Sequence, residues 1–189
     1  MKRLSAFLQR LSASWVVLIA LALLLYFFLR VLPDQAAQVE RYAGEVGSPD
    51  TTFGYSAADL YRMAEVYGPE GRQAYVRARF TFDLVWPLVY TAFFVTAIGW
   101  LYRRAFPAGS RWQRANLFPF LALMLDYLEN GAAALVMARY PFPTPVVAEL
   151  TPVFTVLKWI AVSGCALLLV WGGVGALWRW GKGMGYRRR

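Results

Sequence analysis

Four long apolar runs, separated by polar loops, constrain this chain more than any other feature of its sequence. The runs lie at about residues 11–32, 80–102, 116–139 and 152–178. About 20 apolar residues are enough for a helix to cross the hydrocarbon core of a bilayer. Only 16% of the residues are charged, whereas soluble domains contain about a quarter. The sequence therefore predicts an all-α polytopic membrane protein, folded as a single transmembrane domain over residues 1–189.

The first run follows a short basic segment, which is also how a signal peptide begins. Its apolar stretch from Leu11 to Leu29 is long for a signal peptide, and the residues after it make a poor cleavage site. We predict a retained transmembrane helix that ends before Pro33, because the residue before a proline disfavours helical geometry. The fourth helix is predicted to begin at Thr151-Pro152, with threonine as N-cap and proline at the first helical position.

Residues 33–79 form the longest polar segment and are predicted to be an external loop. Ser56 and Asp59 have the spacing of a capping box, and apolar residues follow at amphipathic spacing. This pattern predicts a short helix in the loop, and Gly68-Pro69 is predicted to end it and to begin the next helix. The helix either packs on the bundle or the bilayer surface, or forms a lid over a site below it.

Charged residues are distributed unevenly between the loops. The N-terminus, residues 102–115 and the C-terminal tail carry twelve Lys or Arg and no acid. The other two loops carry eight of the eleven acids and six Arg, counting Arg139 at the end of the third run. Because basic residues stay on the cytoplasmic side, both termini are predicted to be cytoplasmic. The short second and third loops predict antiparallel neighbours in a four-helix bundle. The basic, aromatic tail, which ends in Arg187-Arg188-Arg189, is predicted to anchor at the membrane interface.

Two acids and an amide interrupt the third apolar run. Asp126, Glu129 and Asn130 lie at positions i, i+3 and i+4, so a helix places them on one face. An Asp at the centre of a transmembrane helix raises the free energy of membrane insertion by ~2.5–3.5 kcal/mol, and each Leu or Phe lowers it by only ~0.3–0.6 kcal/mol. This face must therefore meet protein or water rather than lipid. Lys158, in the fourth run, is the obvious counter-ion for Glu129 or Asp126.

The second run places Arg79, Asp83, Pro87 and Tyr90 on one helical face. Pro87 cannot donate a hydrogen bond to the Asp83 carbonyl, so that carbonyl needs another partner. Pairing of Arg79 with Asp83 within the helix is the simplest interpretation of these two charges. The complete predicted cluster, in the outer half of the bundle, comprises Asp83, Tyr90, Asp126, Glu129, Asn130, Thr155 and Lys158, supported by Arg79 and Pro87.

The charge of this predicted cluster leaves three functions open. With its three acids and one lysine ionised, the cluster carries a formal charge of minus two, which a shared proton, Arg30 or Arg79 would reduce. It could bind or conduct a proton, a cation or a lipid headgroup, since intramembrane acids often mark ion pathways. It could instead be a structural network in an accessory or scaffold subunit, or Glu129 and Asp126 could act as acid and base in an enzyme. We expect the first function and assign no catalytic residue.

Composition excludes several other classes of site. Histidine is absent, which removes the commonest zinc ligand. The single cysteine, Cys165, cannot form an intrachain disulfide or a dithiol redox couple. The acids lack the spacing of an EF-hand, so we expect no metal and no cofactor. The formal charge of +9 comes from residues that flank apolar runs, which favours topology over nucleic-acid binding. Expected partners are membrane lipids and either other membrane subunits or a second copy of the chain.

The order of several motifs resembles an uncharacterised group of bacterial four-span membrane proteins. The matching pieces are Gly68-Pro69-Glu70-Gly71-Arg72 with Tyr75, Asp83 with Pro87 and Tyr90, Asp126 with Glu129-Asn130, Tyr140-Pro141, and Thr155 with Lys158-Trp159. The resemblance covers roughly residues 56–160 and implies a multi-pass protein of the inner (cytoplasmic) membrane. No activity is attached to this group, so the resemblance implies no function. Claudin-like proteins share the topology and a large first loop, but their paired loop cysteines and tryptophan-centred motif are missing.

Overall fold

The computed structural model describes residues 2–186, with side chains through Lys182. Every regular element within these residues is helical, as the sequence predicts. The α-helices are α1 (Lys2–Leu11), α2 (Ser14–Tyr26), α3 (Leu32–Ala43), α4 (Ala57–Val66), α5 (Gly68–Arg79), α6 (Phe82–Ala105), α7 (Pro119–Arg139) and α8 (Pro145–Tyr186). A π-helical turn at Phe27–Val31 and 3-10 helices at Gly44–Val46 and Arg111–Leu117 complete the elements. The last three residues of the predicted basic anchor, 187–189, lie outside the described residues.

Within the described residues, four helical stretches are long and apolar enough to cross a membrane, which confirms the four predicted candidate spans. They are Ser14–Val46, Gly68–Ala105, Arg111–Arg139 and Pro145–Lys182. Each stretch is longer than the apolar run that predicts it, because more polar helical turns extend it.

The first helix does not end before Pro33, so that prediction was wrong. The Leu32 N–H bonds to the Phe27 carbonyl, five residues back, which defines a π-helical turn. Pro33 then lies in the first turn of α3, where a missing N–H costs little. The helical stretch continues to Val46, so the start of the predicted external loop is helical.

The fourth helix also differs from its prediction, because it begins at Pro145 rather than at Thr151-Pro152. Pro145 supplies the proline of the first turn, and Pro152 lies inside the helix. The Thr151 hydroxyl donates to the Val147 carbonyl at 2.7 Å instead of capping a helix start. Thr144 precedes Pro145 just as Thr151 precedes Pro152, and the helix begins at the earlier of these two pairs.

The predicted capping box at the start of α4 is confirmed. Ser56 Oγ accepts from the Asp59 N–H at 3.2 Å, and the Ser56 N–H donates to the Asp59 carboxylate at 2.8 Å. The apolar face of α4 is buried through Leu60, Met63 and Ala64. The short helix predicted for this loop is therefore present, and α5 follows it at Gly68.

The chain divides into two compact units. Unit 1 comprises Met1–Leu24, Val89–Leu121 and Ala161–Arg189, and unit 2 comprises Leu25–Leu88 and Ala122–Ile160. The buried core of unit 2 contains Ala43, Tyr55, Leu60, Met63, Ala64, Tyr67, Tyr75, Ala133, Val136, Met137 and Ala148. A smaller core in unit 1 consists of Ala20, Phe93 and Ala97.

Charge separates along the same division. Unit 1 contains twelve of the twenty Lys and Arg residues and no Asp or Glu in its sequence. Unit 2 contains the remaining eight basic residues and all eleven acids. Ion pairs within a single unit are therefore possible only in unit 2.

Helix α1 packs its polar face inward within unit 1. Ser5 Oγ donates to Asn116 Oδ1 at 2.7 Å, and Gln9 Nε2 donates to the Gln113 carbonyl at 2.5 Å. Its apolar residues Leu4 and Phe7 are exposed. An apolar outer face of this kind is typical of a helix that lies in a membrane interface.

A glycine of α8 allows close packing in unit 1. A Cβ atom at Gly172 would lie 2.5 Å from Tyr102 Cε2. The Tyr102 ring cannot easily move, because it is fully buried and its hydroxyl donates to the Leu168 carbonyl at 3.0 Å.

We expect Gly172→Ala to lower the free energy of unfolding by about 1–3 kcal/mol, because overpacking a rigid contact is costly. Gly173→Ala is the matched control, since a Cβ there would meet no atom within 4 Å. Thermal unfolding in mild detergent measures both variants. Equal stability of the two would contradict close packing at Gly172.

Candidate functional site

Arg79, at the end of α5, is the centre of a polar cluster in unit 2. Its side chain is 6% exposed. The guanidinium pairs with the Asp50 carboxylate, and its Nε lies 3.0 Å from Asp83 Oδ2. Nη1 also donates to Asn130 Oδ1 at 3.1 Å, and the guanidinium stacks 4.4 Å from the centre of the Tyr75 ring. One cation therefore joins two carboxylates, an amide and an aromatic ring.

Lys158 and Glu129 form the second ion pair of the cluster. Lys158 Nζ contacts Glu129 Oε2, and Glu129 is completely buried. Thr155 Oγ1 donates to Glu129 Oε1 at 2.6 Å. The Tyr55 hydroxyl lies 2.9 Å from Thr155 Oγ1, and it must be the donor when Thr155 donates to Glu129. Burial raises the pKa of Tyr55, which keeps the phenol neutral and able to donate.

Asn130 links Asp126 to Arg79 through two side-chain hydrogen bonds. Its Nδ2 donates to Asp126 Oδ1 at 2.8 Å, while its Oδ1 accepts from Arg79. The spacing of one helical turn makes this possible, because residues four apart lie on one helix face. Asp126 is 7% exposed and Asn130 5% exposed. The amide therefore connects a carboxylate and a cation that do not have to touch.

Asp50 enters the cluster from the irregular segment between Gly47 and Tyr55. The segment is fixed by two aromatic donors: Trp159 Nε1 donates to the Asp50 carbonyl at 3.0 Å, and the Tyr67 hydroxyl donates to the Gly47 carbonyl at 2.6 Å. Burial opposes ionisation of Asp50, but the charges of Arg79 and Lys158 outweigh it and hold the pKa of Asp50 below its ordinary value.

The predicted site and the observed contacts overlap without being identical. The contacts described above place six of the predicted residues in two groups within unit 2: Asp83, Asn130 and Asp126 around Arg79, and Glu129, Thr155 and Lys158 with one another. Pro87 is fully buried within α6. Tyr90 belongs to unit 1, where its ring lies 6.5 Å from that of Phe94. Arg30, considered as a further cation, is exposed.

Sequence reasoning missed Asp50, Tyr55, Tyr75 and Trp159. Asp50 follows Ser48-Pro49 in a stretch without helical periodicity, so no spacing rule connects it to Arg79. Helical spacing could have indicated Tyr75 as a site residue, because it lies four residues before Arg79 and therefore shares its helix face. Its hydroxyl is buried without a hydrogen-bond partner.

The assembled cluster contains more negative than positive charge. Its carboxylates are Asp50, Asp83, Asp126 and Glu129, and its cations are Arg79 and Lys158. Four carboxylates and two cations leave a formal charge of minus two when all are ionised. Within residues 2–186, no group of three or more Asp, Glu, Cys or His side chains has the arrangement of a metal site.

We expect Asp50→Asn to cost about 1–3 kcal/mol of unfolding free energy at neutral pH, because Arg79 loses a charged partner. An unfolded Asp has a pKa of about 3.9, and the native pKa is lower. The stabilisation is therefore complete above the unfolded pKa and is lost as pH falls through the native pKa.

Thermal unfolding of wild type and Asp50→Asn over a pH series measures this difference. The difference in stability between wild type and Asp50→Asn should be constant above about pH 5 and shrink below about pH 4. Asp34→Asn, at an exposed acid of α3, is the control and should show a small gap throughout. A gap for Asp50→Asn that grows in acid would contradict the pairing with Arg79.

No protein-family model, curated protein or solved structure matches this chain.

Proposed function

We propose that this chain is a non-enzymatic, four-span protein of the bacterial inner membrane whose buried cluster binds or conducts a small cation, and that this cation is a proton. The spans would be antiparallel, with both termini in the cytoplasm, as the distribution of basic residues between loops favours. The single observation that carries the proposal is the excess of two negative charges in this cluster, whose acids are buried except for the half-buried Asp50. Burying an uncompensated carboxylate is too costly to persist, so bound positive charge must balance it.

A proton is favoured over the other small ligands considered for this site. The acids are spread over a loop and two helices, α6 and α7, and each makes its own contacts with Arg79, Asn130 or Lys158. A proton needs one carboxylate, whereas Ca²⁺ needs six to eight oxygen ligands and Mg²⁺ needs octahedral geometry. A phosphate headgroup would add negative charge to a site that already has an excess.

Infrared absorption tests the proposal, because protonated carboxyl groups absorb separately from carboxylates. The full chain is studied in lipid nanodiscs at pH 7, with sodium, potassium, calcium or choline as the cation. We expect about two protonated carboxyls per wild-type chain in every salt. Glu129→Gln should reduce the number to about one, and Lys158→Met should raise it to about three. Glu149→Gln, at an exposed acid of α8, should leave it unchanged.

Two results would overturn the assignment of a proton. A cation-dependent melting temperature with all carboxylates ionised would identify a metal cation instead. Ionised carboxylates with no salt dependence would show that nothing balances the cluster. A pH-sensitive dye inside vesicles then distinguishes conduction from binding alone.

The second candidate is an accessory or scaffold subunit in which the cluster is structural. Its support is that the cluster ties the segment around Asp50 to α5, α6, α7 and α8 through Arg79, Trp159, Thr155 and Lys158. Such a network fixes helix register. If the cluster is structural, Glu129→Gln lowers thermal stability without changing how many of the other carboxyls are protonated. Protein subunits then co-purify with the chain.

A further inference from the structure

Unit 1 contains a groove between the 3-10 helix Arg111–Leu117 and α8. Its volume is about 500 Å³. Its walls include Arg111, Arg114, Trp112, Leu117, Phe118 and Leu168. Two guanidinium groups therefore adjoin a surface that is otherwise aromatic and aliphatic. A ligand that fills such a groove must combine an anionic group with an apolar chain.

The arginines of this groove have no carboxylate in their own unit. Unit 1 has no Asp or Glu in its sequence, and both side chains are exposed. Their charge is therefore free to attract an external anion. Arginine binds phosphate through paired N–H donors, which makes a phosphate the best complement.

Contacts within unit 1 hold the walls of the groove in place. The Trp112 N–H donates to Ser110 Oγ at 3.3 Å, and Gln113 Nε2 donates to the Pro107 carbonyl at 2.9 Å. Phe118 packs against α8 so closely that a Cβ at Gly164 would lie 2.8 Å from its ring. Because these contacts fix the walls, little ordering entropy opposes binding.

We propose that this groove binds one anionic phospholipid from the membrane leaflet at which the basic unit lies. The phosphate contacts Arg111 and Arg114. An acyl chain lies along Leu117, Phe118 and Leu168. The site is in unit 1 and is independent of the acidic cluster in unit 2, so either proposal can fail without the other.

Native mass spectrometry of the full chain, titrated with phosphatidylglycerol or phosphatidylcholine of the same acyl chains, tests this site. We expect wild type to bind one phosphatidylglycerol at least tenfold more tightly than phosphatidylcholine. Arg111→Gln with Arg114→Gln should remove that preference. The control is Arg179→Gln with Lys182→Gln, which removes the same charge from exposed positions of α8. It should retain most of the preference.

A second variant tests the apolar half of the groove. Ala115 lines it, so Ala115→Leu places extra atoms where the acyl chain would lie. We expect this variant to bind both lipids more weakly by a similar factor. It should still elute as a monodisperse protein. Equal loss of phosphatidylglycerol binding in the two double variants would show diffuse charge attraction and overturn the site. Unchanged binding in Arg111→Gln with Arg114→Gln, or in Ala115→Leu, would overturn it as well.

Discussion

Replacing Lys158 with methionine should lower the free energy of unfolding by about 3–5 kcal/mol, because a completely buried Glu129 loses its counter-ion. Glu129→Gln should also destabilise the protein, since it leaves the Lys158 ammonium buried and unpaired. The double variant should be more stable than the sum of the single losses predicts. We expect a coupling free energy of about 1–3 kcal/mol from the double-mutant cycle.

Unfolding by a denaturing detergent, followed by circular dichroism, measures all three variants. Glu149→Gln is the control for the loss of one acid, and it should change stability by less than about 0.5 kcal/mol because the side chain is exposed. Strictly additive losses at Lys158 and Glu129 would mean that the two side chains do not interact. The cycle needs no knowledge of a ligand, so it tests the site separately from its function.

Arg79→Met should be the other severe substitution, with a loss of about 3–5 kcal/mol. It removes a cation from Asp50 and Asp83 together, and it removes the donor to Asn130. Arg79→Lys should recover only part of the loss, because a single ammonium lacks the planar fork that reaches several acceptors. Arg77 is two residues away on α5 and exposed, so Arg77→Met is the matched control.

Hydrogen exchange adds a local readout to the Arg79 variants. The Thr51 and Thr52 amides donate to the Ser48 carbonyl in the turn that presents Asp50. These amides should exchange faster in Arg79→Met, because the turn loses its anchor, and should be unchanged in Arg77→Met. Equal stability and equal exchange in the two variants would contradict the central position of Arg79.

Local patterns in the sequence were sufficient for the presence of the helices and for contacts between residues close in sequence. The spans follow from apolar length, and the Ser56–Asp59 capping box follows from its four-residue signature. Arg79 and Asp83 are four residues apart and in contact, but they lie in α5 and α6, on either side of a break at Phe80-Thr81, rather than within one helix as predicted. Helix ends next to Pro33 and Pro152 were predicted wrongly, because a π-helical turn and an earlier proline accommodate these rings.

Contacts between segments could not be derived in the same way. No periodicity relates Asp50 to Arg79, which lie 29 positions apart and meet only after the chain turns back. Tyr55 and Thr155 are separated by 100 positions. Such contacts depend on which helices pack together, and that information is not contained in the spacing of residues along one helix.

If the spans enter a membrane as we propose, the two cations of the cluster meet their counter-ions at different times during synthesis. Arg79 and Asp83 leave the ribosome almost together, so this arginine can enter the membrane with a counter-ion beside it. Glu129 precedes Lys158 by 29 positions, a delay on the order of seconds at typical rates of translation. Under that proposal, Glu129 would have to be neutralised by a proton, or held outside the lipid, until α8 emerges. Insertion of α7 would thus depend on the arrival of the helix that follows it.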